Sequence, residues 1–141
     1  MQNSLTINCD GGSRGNPGPA ACAFVATDAG NVIYRESKFL GVATNNDAEY
    51  SAVILALKWF LKSPLAKRYI SINFILDSEL VVRQIKGVYK IKSQKLREHH
   101  TEIIGLIKKL GVRVEFQNVE REKNKLADDL VNEELDRNET A

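Results

Sequence analysis

Cysteine is scarce in this chain, and long apolar runs, internal repeats, low-complexity tracts and linkers are missing. The two cysteines, Cys9 and Cys22, are too few and too irregularly spaced for a zinc site or a disulfide framework, although neighbouring strands could bring them together. No stretch approaches the roughly 20 apolar residues that a membrane-crossing helix needs. The polar start "MQNSLTINCD" also lacks a basic region followed by an apolar run, so the expected address is cytoplasmic, with reduced and buried thiols. Without a linker, the 141 residues are expected to form one domain over residues 1–135, with a frayed tail at 136–141.

What is present is ordinary for a folded protein: 43% hydrophobic, 27% charged and 7% aromatic residues. The net charge of +2 conceals an asymmetry. From Arg83 to Arg97 the chain carries Arg83, Lys86, Lys90, Lys92, Lys95 and Arg97 with no acid among them, while the segment from Glu120 onward is acid-rich. Such a division permits a polyanionic partner, and equally fits a solvated lysine face.

"SLTINCD", "AACAFVAT" and "NVIYRESKFLG" alternate as strands, the last two joined by the turn-forming "DAGN". The period then changes. "NNDAEYSAVILALKWFLKS" is apolar at helical spacing, begins after Asn46 as a plausible cap and stops at Pro64. "YISINFIL" reads as a strand and "DSELVVRQIKG" as a short helix that Asp77 could cap. A helix closed by Gly111, the strand "VRVEFQNV" and a last helix capped by Asn124 complete the order. A meander followed by alternating helices and strands predicts an α/β fold: a mixed five-stranded sheet, three antiparallel strands then two parallel, flanked by helices.

Four carboxylates stand out. At about 100° per residue, Glu49 falls within about 60° of Ala52, Val53, Ala56 and Phe60, and so projects from a buried face. It is either a ligand or, in Asn46-x-x-Glu49, half of a capping box. In the last helix Asp128 borders the apolar face of Leu126, Ala127, Leu130, Val131 and Leu135, whereas Asp129 points to water. Asp77 ends a strand carrying Ile70, Ile72, Phe74 and Leu76, with helix capping as its plain alternative. Asp10 precedes a glycine-rich loop and could be a turn residue. Helix capping and turn formation do not explain why all four sit at strand ends or at the margins of buried helix faces, which is where ligand sites of α/β sheets gather. Converging carboxylates need hard divalent cations between them, Mg²⁺ or Mn²⁺, and a two-metal site accounts for all four. Trp59 reads as a packing residue, and His99 and His100 lie near the apolar stripe of their helix.

At these residues the sequence resembles type 1 ribonuclease H, through "DGGSRGNPGPA", "TNNDAEY", "LDSELVV" and "NKLADDL" in the family's order. The resemblance implies cleavage of the RNA strand of an RNA–DNA hybrid by two Mg²⁺ ions, with Mn²⁺ as an alternative, leaving 5′-phosphate and 3′-hydroxyl ends. Asp10 would bridge both ions, Asp128 would hold the one activating water, and Glu49 with Asp77 the one facing the leaving group. Gly11 and Gly12 would admit the nucleic acid backbone, Asn16 and Asn45 would touch the minor groove, and Thr44 a DNA-strand phosphate. Val42 stands where the family often has arginine, and "NVEREKN" lacks the histidine frequent before the last helix, leaving Arg121 or Glu122 as substitutes. The compact form implied here has neither a basic helical insertion nor an N-terminal hybrid-binding domain. Hybrid affinity is then expected to rest on Lys86, Lys90, Lys92 and Lys95, in a monomer. An inactive binding module of the same fold and another metal nuclease of the broad fold are the competing readings.

Overall fold

Burial follows the alternation in the first strand: Leu5, Ile7 and Cys9 are fully buried on one face. In the computed structural model, which describes residues 3–139, this strand does not stop at Asp10. β1 runs Ser4–Ser13, because Gly11 pairs with Cys22 and Gly12 with Ala21 on β2, Gly18–Asp28. The expected glycine-rich loop shrinks to residues 14–17. β3, Asn31–Ala43, completes the meander through a turn whose central residues Ala29 and Gly30 have φ of 50° and 84°, matching the twist of the strands they join.

The remaining elements are α1 (Asn45–Lys62), β4 (Ser71–Leu76), α2 (Glu79–Ile85), α3 (Gln94–Leu110), β5 (Arg113–Asn118) and α4 (Lys125–Arg137). The sheet order is β3-β2-β1-β4-β5, with β1–β2 and β2–β3 antiparallel and β1–β4 and β4–β5 parallel. Alternate residues of β2 divide the core: Cys22 and Phe24 pack with Tyr50, Val53 and Leu57 of α1, while Ala21 and Ala23 pack with Val131 and Leu135 of α4. The two helices therefore cover opposite faces of the sheet, and β1 lies between them.

Three caps differ from the sequence reading. Thr44, not Asn46, caps α1: its hydroxyl accepts from the Asp47 backbone N–H at 3.1 Å, and the Asp47 carboxylate accepts from the Thr44 backbone. Ser78, not Asp77, caps α2 by accepting from Val81 N at 3.2 Å. Asn124 precedes α4 without capping it. In each of the first two cases a hydroxyl one or two residues earlier or later outcompetes the amide or carboxylate, which frees Glu49 and Asp77 from capping duty. Two apolar assignments also fail: Ile70 lies outside β4 and is 66% exposed, and Leu126 is 53% exposed because α4 turns only Ala127, Val131 and Leu135 fully inward.

At the C-terminal end, α4 continues through Arg137, and Arg14 pairs with Asp136 at 2.8 Å and with Glu139. The segment expected to fray from residue 136 is thus ordered as far as Glu139; residues 140–141 lie outside the described residues. Cys9 and Cys22 are buried free thiols, and burial pushes Cys22 up to about 12 and Cys9 well above its ordinary value, which disfavours the thiolate. Trp59 packs on Tyr34 and Phe24, with ring centroids 4.8 and 5.5 Å away. Among the described residues no helix is long and apolar enough to cross a membrane.

Candidate active site

The parallel ladder between β1 and β4 ends at Asn8 and Ile75. Two residues further on each strand stand Asp10 and Asp77, so the carboxylates face each other where the two strands part. Glu49 arrives from above. A Cβ at Gly11 would sit 2.2 Å from the Ala48 carbonyl carbon and 2.5 Å from Glu49 N, so only glycine lets the first turn of α1 lie directly on β1. Gly11 is therefore required by helix packing, whatever approaches from outside.

One carboxylate oxygen each from Asp10, Glu49 and Asp77 lies within 4.8 Å of the others. Asp10 is 5% exposed and Glu49 6%, and Asp77 is half-buried. Burial, and then the neighbouring Asp77 charge, pushes Asp10 up to about 7. Glu49 is raised well above the carboxylate range by burial and by Asp10, opposed by a hydrogen bond from the Gly11 backbone. Asp77 is raised chiefly by burial. Asp128, in the first turn of α4, lines the same cavity and adds to the upward shift of Asp10, yet lies outside the tight trio.

This donor set fits a hard divalent cation. Glu49 Oε2 is fully buried with no hydrogen-bond partner, and the oxygens beside it belong to groups that repel it. A cation would satisfy that atom and cancel the repulsion, and carboxylate oxygens are the ligands that Mg²⁺ and Mn²⁺ take.

The four carboxylates line one cavity of about 450 Å³ with Gly11, Gly12, Ser13, Arg14, Asn45 and Arg121. Its rim is tied together by amides. Asn45 Oδ1 accepts from Ser13 N at 2.9 Å and Ser13 Oγ at 3.1 Å, and Asn16 Oδ1 accepts from Asn45 N at 3.0 Å. Asn16 does not itself line the cavity and is joined to it through Asn45. Thr44 stays in its capping box, donating to Asp47 Oδ2 at 2.9 Å, outside the cavity. Lys86, Lys90 and Lys92 are exposed on the segment after α2 and do not line the cavity. Asp129 points to water, as expected, and pairs there with the exposed Lys125 at 3.2 Å.

Asn124, expected as a helix cap, takes a different role. It is buried, donates from Nδ2 to Cys9 O at 2.8 Å, accepts from Asn8 Nδ2 at 3.0 Å, and its hydrogen bond opposes the upward shift of Asp77. It thus braces the backbone beside Asp10 and the side chain of Asp77 together. An asparagine ahead of a helix carries no mark in sequence that distinguishes bracing from capping. Of the two proposed substitutes for the missing histidine, Arg121 lies in the cavity 3.8 Å from Asp128, and Glu122 does not line it.

A family described as "Reverse transcriptase-like" matches residues 8–134. LC11-RNase H1, solved in complex with an RNA/DNA hybrid, superposes with a TM-score of 0.87 at 40% identity, covering 94% of this chain and 97% of that one. RNase H1 from the halophilic archaeon Halobacterium salinarum NRC-1 gives 0.84 at 34% identity, covering 95% and 98%. The bifunctional protein Rv2228c of Mycobacterium tuberculosis is 34% identical over 134 residues, 94% of this chain. The chain spans only 35% of that mycobacterial protein's length. The same five-stranded order, matched along nearly the whole length of solved ribonucleases H1, carries its acids where β1 and β4 diverge: the chain belongs to the type 1 ribonuclease H family.

Proposed function

We propose that this chain is an endoribonuclease that hydrolyses the RNA strand of RNA–DNA hybrids, leaving 5′-phosphate and 3′-hydroxyl ends. The observation that carries the reading is the trio Asp10, Glu49 and Asp77, three acids from distant elements held within 4.8 Å around a buried oxygen with no partner. Two Mg²⁺ ions, or Mn²⁺, would supply Lewis-acid stabilisation of the attacking and departing oxygens at phosphorus when bound there. Asp10, Glu49 and Asp77 would hold one ion, and Asp10 with Asp128 would hold the other. Asn124 keeps Asp10 and Asp77 in register.

Recognition of the hybrid falls to the rim. With Oδ1 of Asn16 and of Asn45 already accepting, both Nδ2 groups remain as donors, which suits minor-groove acceptors and the 2′-hydroxyl oxygens that mark RNA. Gly12 offers backbone without bulk at the cavity wall. Thr44 contacts a DNA-strand phosphate, but weakly, since Asp47 already takes its hydroxyl proton and the exposed Val42 supplies no cation. Lys86, Lys90 and Lys92 carry the longer-range attraction. Residues 1–135 act as one catalytic domain, and the protein works as a cytoplasmic monomer.

The test is a labelled substrate panel of hybrid, duplex DNA, duplex RNA and single strands, with and without Mg²⁺. Cutting confined to the RNA of the hybrid, and only with the ion, is the expected result. Cutting of DNA would point to another nuclease of the fold, and binding without any cutting to an inactive module.

A further inference from the structure

The segment between α2 and α3, residues 86–93, has no helix or strand of its own, yet it carries Lys86, Lys90 and Lys92. Irregular backbone of this kind is held only if side chains satisfy it. Here side chains from both flanking helices do so. His100 Nε2 on α3 lies 3.2 Å from the carbonyl oxygen of Ile85, the last residue of α2, and so fastens the two helices together where the segment begins. Arg97 Nη1 donates to Ile91 O at 3.3 Å. Gln84 Nε2 on α2 donates to Lys90 O at 3.4 Å. From within the segment, Val88 N and Tyr89 N both donate to Arg83 O, and the Tyr89 ring lies 5.5 Å from the Arg83 guanidinium.

Gln84 differs from the other two anchors. It is 7% exposed, and its Oε1 accepts at 2.8 Å from the hydroxyl of Tyr50, a fully buried residue of α1 adjacent to Glu49. One amide therefore ties the backbone of Lys90 to the helix that brings Glu49 to the cavity. Among the described residues Lys86, Lys90 and Lys92 form no ion pair, so nothing neutralises the ridge before substrate arrives. Lysine side chains pay entropy when they bind phosphate, and a fixed backbone removes part of that cost.

We infer that Gln84 is a positioning residue for hybrid binding: it touches no substrate, and it holds the lysine ridge in the form that meets phosphates. This rests on the reading above that the ridge binds the hybrid. The shape and charge of the ridge are then separable contributions, and shape depends on a residue that carries no charge.

The experiment is a double-mutant cycle on the full chain, measuring KM and kcat for hybrid at 0.1 M salt. Lys86, Lys90 and Lys92 together changed to Gln form one arm and Gln84→Met the other. Gln84→Met is expected to raise KM about 5-fold with kcat within about 2-fold, to remove hydrogen-exchange protection at Val88 and Tyr89, and to have no further effect on KM once the lysines are gone. Arg97→Gln, on an exposed side chain, runs the same cycle should Gln84→Met not fold. An equal rise in KM with and without the lysines, or no rise, overturns the positioning role while leaving the ridge as a binding surface. An unchanged KM on removing the lysines alone overturns both.

Discussion

The carboxylate cavity and the lysine ridge are opposite solutions to holding charge. In the cavity, Asp10, Glu49 and Asp77 come from three elements and are crowded together where burial pushes all three upward and the neighbouring acids add to the shift of Asp10 and Glu49. The ridge is local in sequence, exposed, and free of internal ion pairs among the described residues. A cation would offset the repulsion among the acids of the cavity, whereas the lysines of the ridge are held in solvent. Changes in the first should therefore move both chemistry and stability, and changes in the second should move binding alone.

The hardest blow to the cavity is Asp10→Asn, expected to lower kcat by about 10³-fold or more while leaving the circular dichroism spectrum intact. Asn124→Ala is expected to cost about 10–100-fold in metal-dependent activity, as removal of a group orienting ligands does. That variant separates bracing from capping, since a lost cap would lower stability by ~1 kcal/mol and spare activity. On the ridge, replacing Lys86, Lys90 and Lys92 by Gln should raise KM about 10-fold at moderate salt and flatten its salt dependence, with kcat nearly unchanged. Asp129→Asn gives the smallest effect, less than about 2-fold in activity, because its partner is the exposed Lys125. Loss of activity equal to that of Asp10→Asn would erase the distinction between neighbouring acids on α4.

Elements with long periodic patterns were legible in the sequence. The meander, the helix ending at Pro64 and the helix closed by Gly111, which has φ of 68°, all stand as read. The four acids were legible too, through their placement against apolar faces. Short-range competition was not. Thr44 against Asn46, and Ser78 against Asp77, are choices between polar residues one or two positions apart that differ by a fraction of a kcal/mol in capping strength. The role of Gly11 depends on a helix more than thirty residues away, since its missing Cβ makes room for Ala48 and Glu49. Asn124 and Gln84 were invisible for the same reason: their partners, Cys9 and Tyr50, are distant in the chain.

The repulsion in the cavity also sets a pH dependence. Asp10 is near 7 in the metal-free fold and 3.8 ordinarily, so the folded state keeps a proton that the unfolded chain releases. Its contribution to stability is complete below 3.8 and is lost as pH rises toward 7, on the order of 4 kcal/mol for a shift of this size. Above that range the metal-free protein holds ionised acids against one another, and a divalent ion should restore what was lost.

The most direct measurement is thermal unfolding at pH 8 of the unmodified chain and of Asp10→Asn, each in EDTA and in excess Mg²⁺. The account expects Mg²⁺ to raise the melting temperature of the unmodified chain by several degrees, and Asp10→Asn to melt higher than it in EDTA with little response to the ion. An unmodified chain indifferent to Mg²⁺, or an Asp10→Asn variant destabilised in EDTA, would contradict the claim that these carboxylates are gathered for a cation.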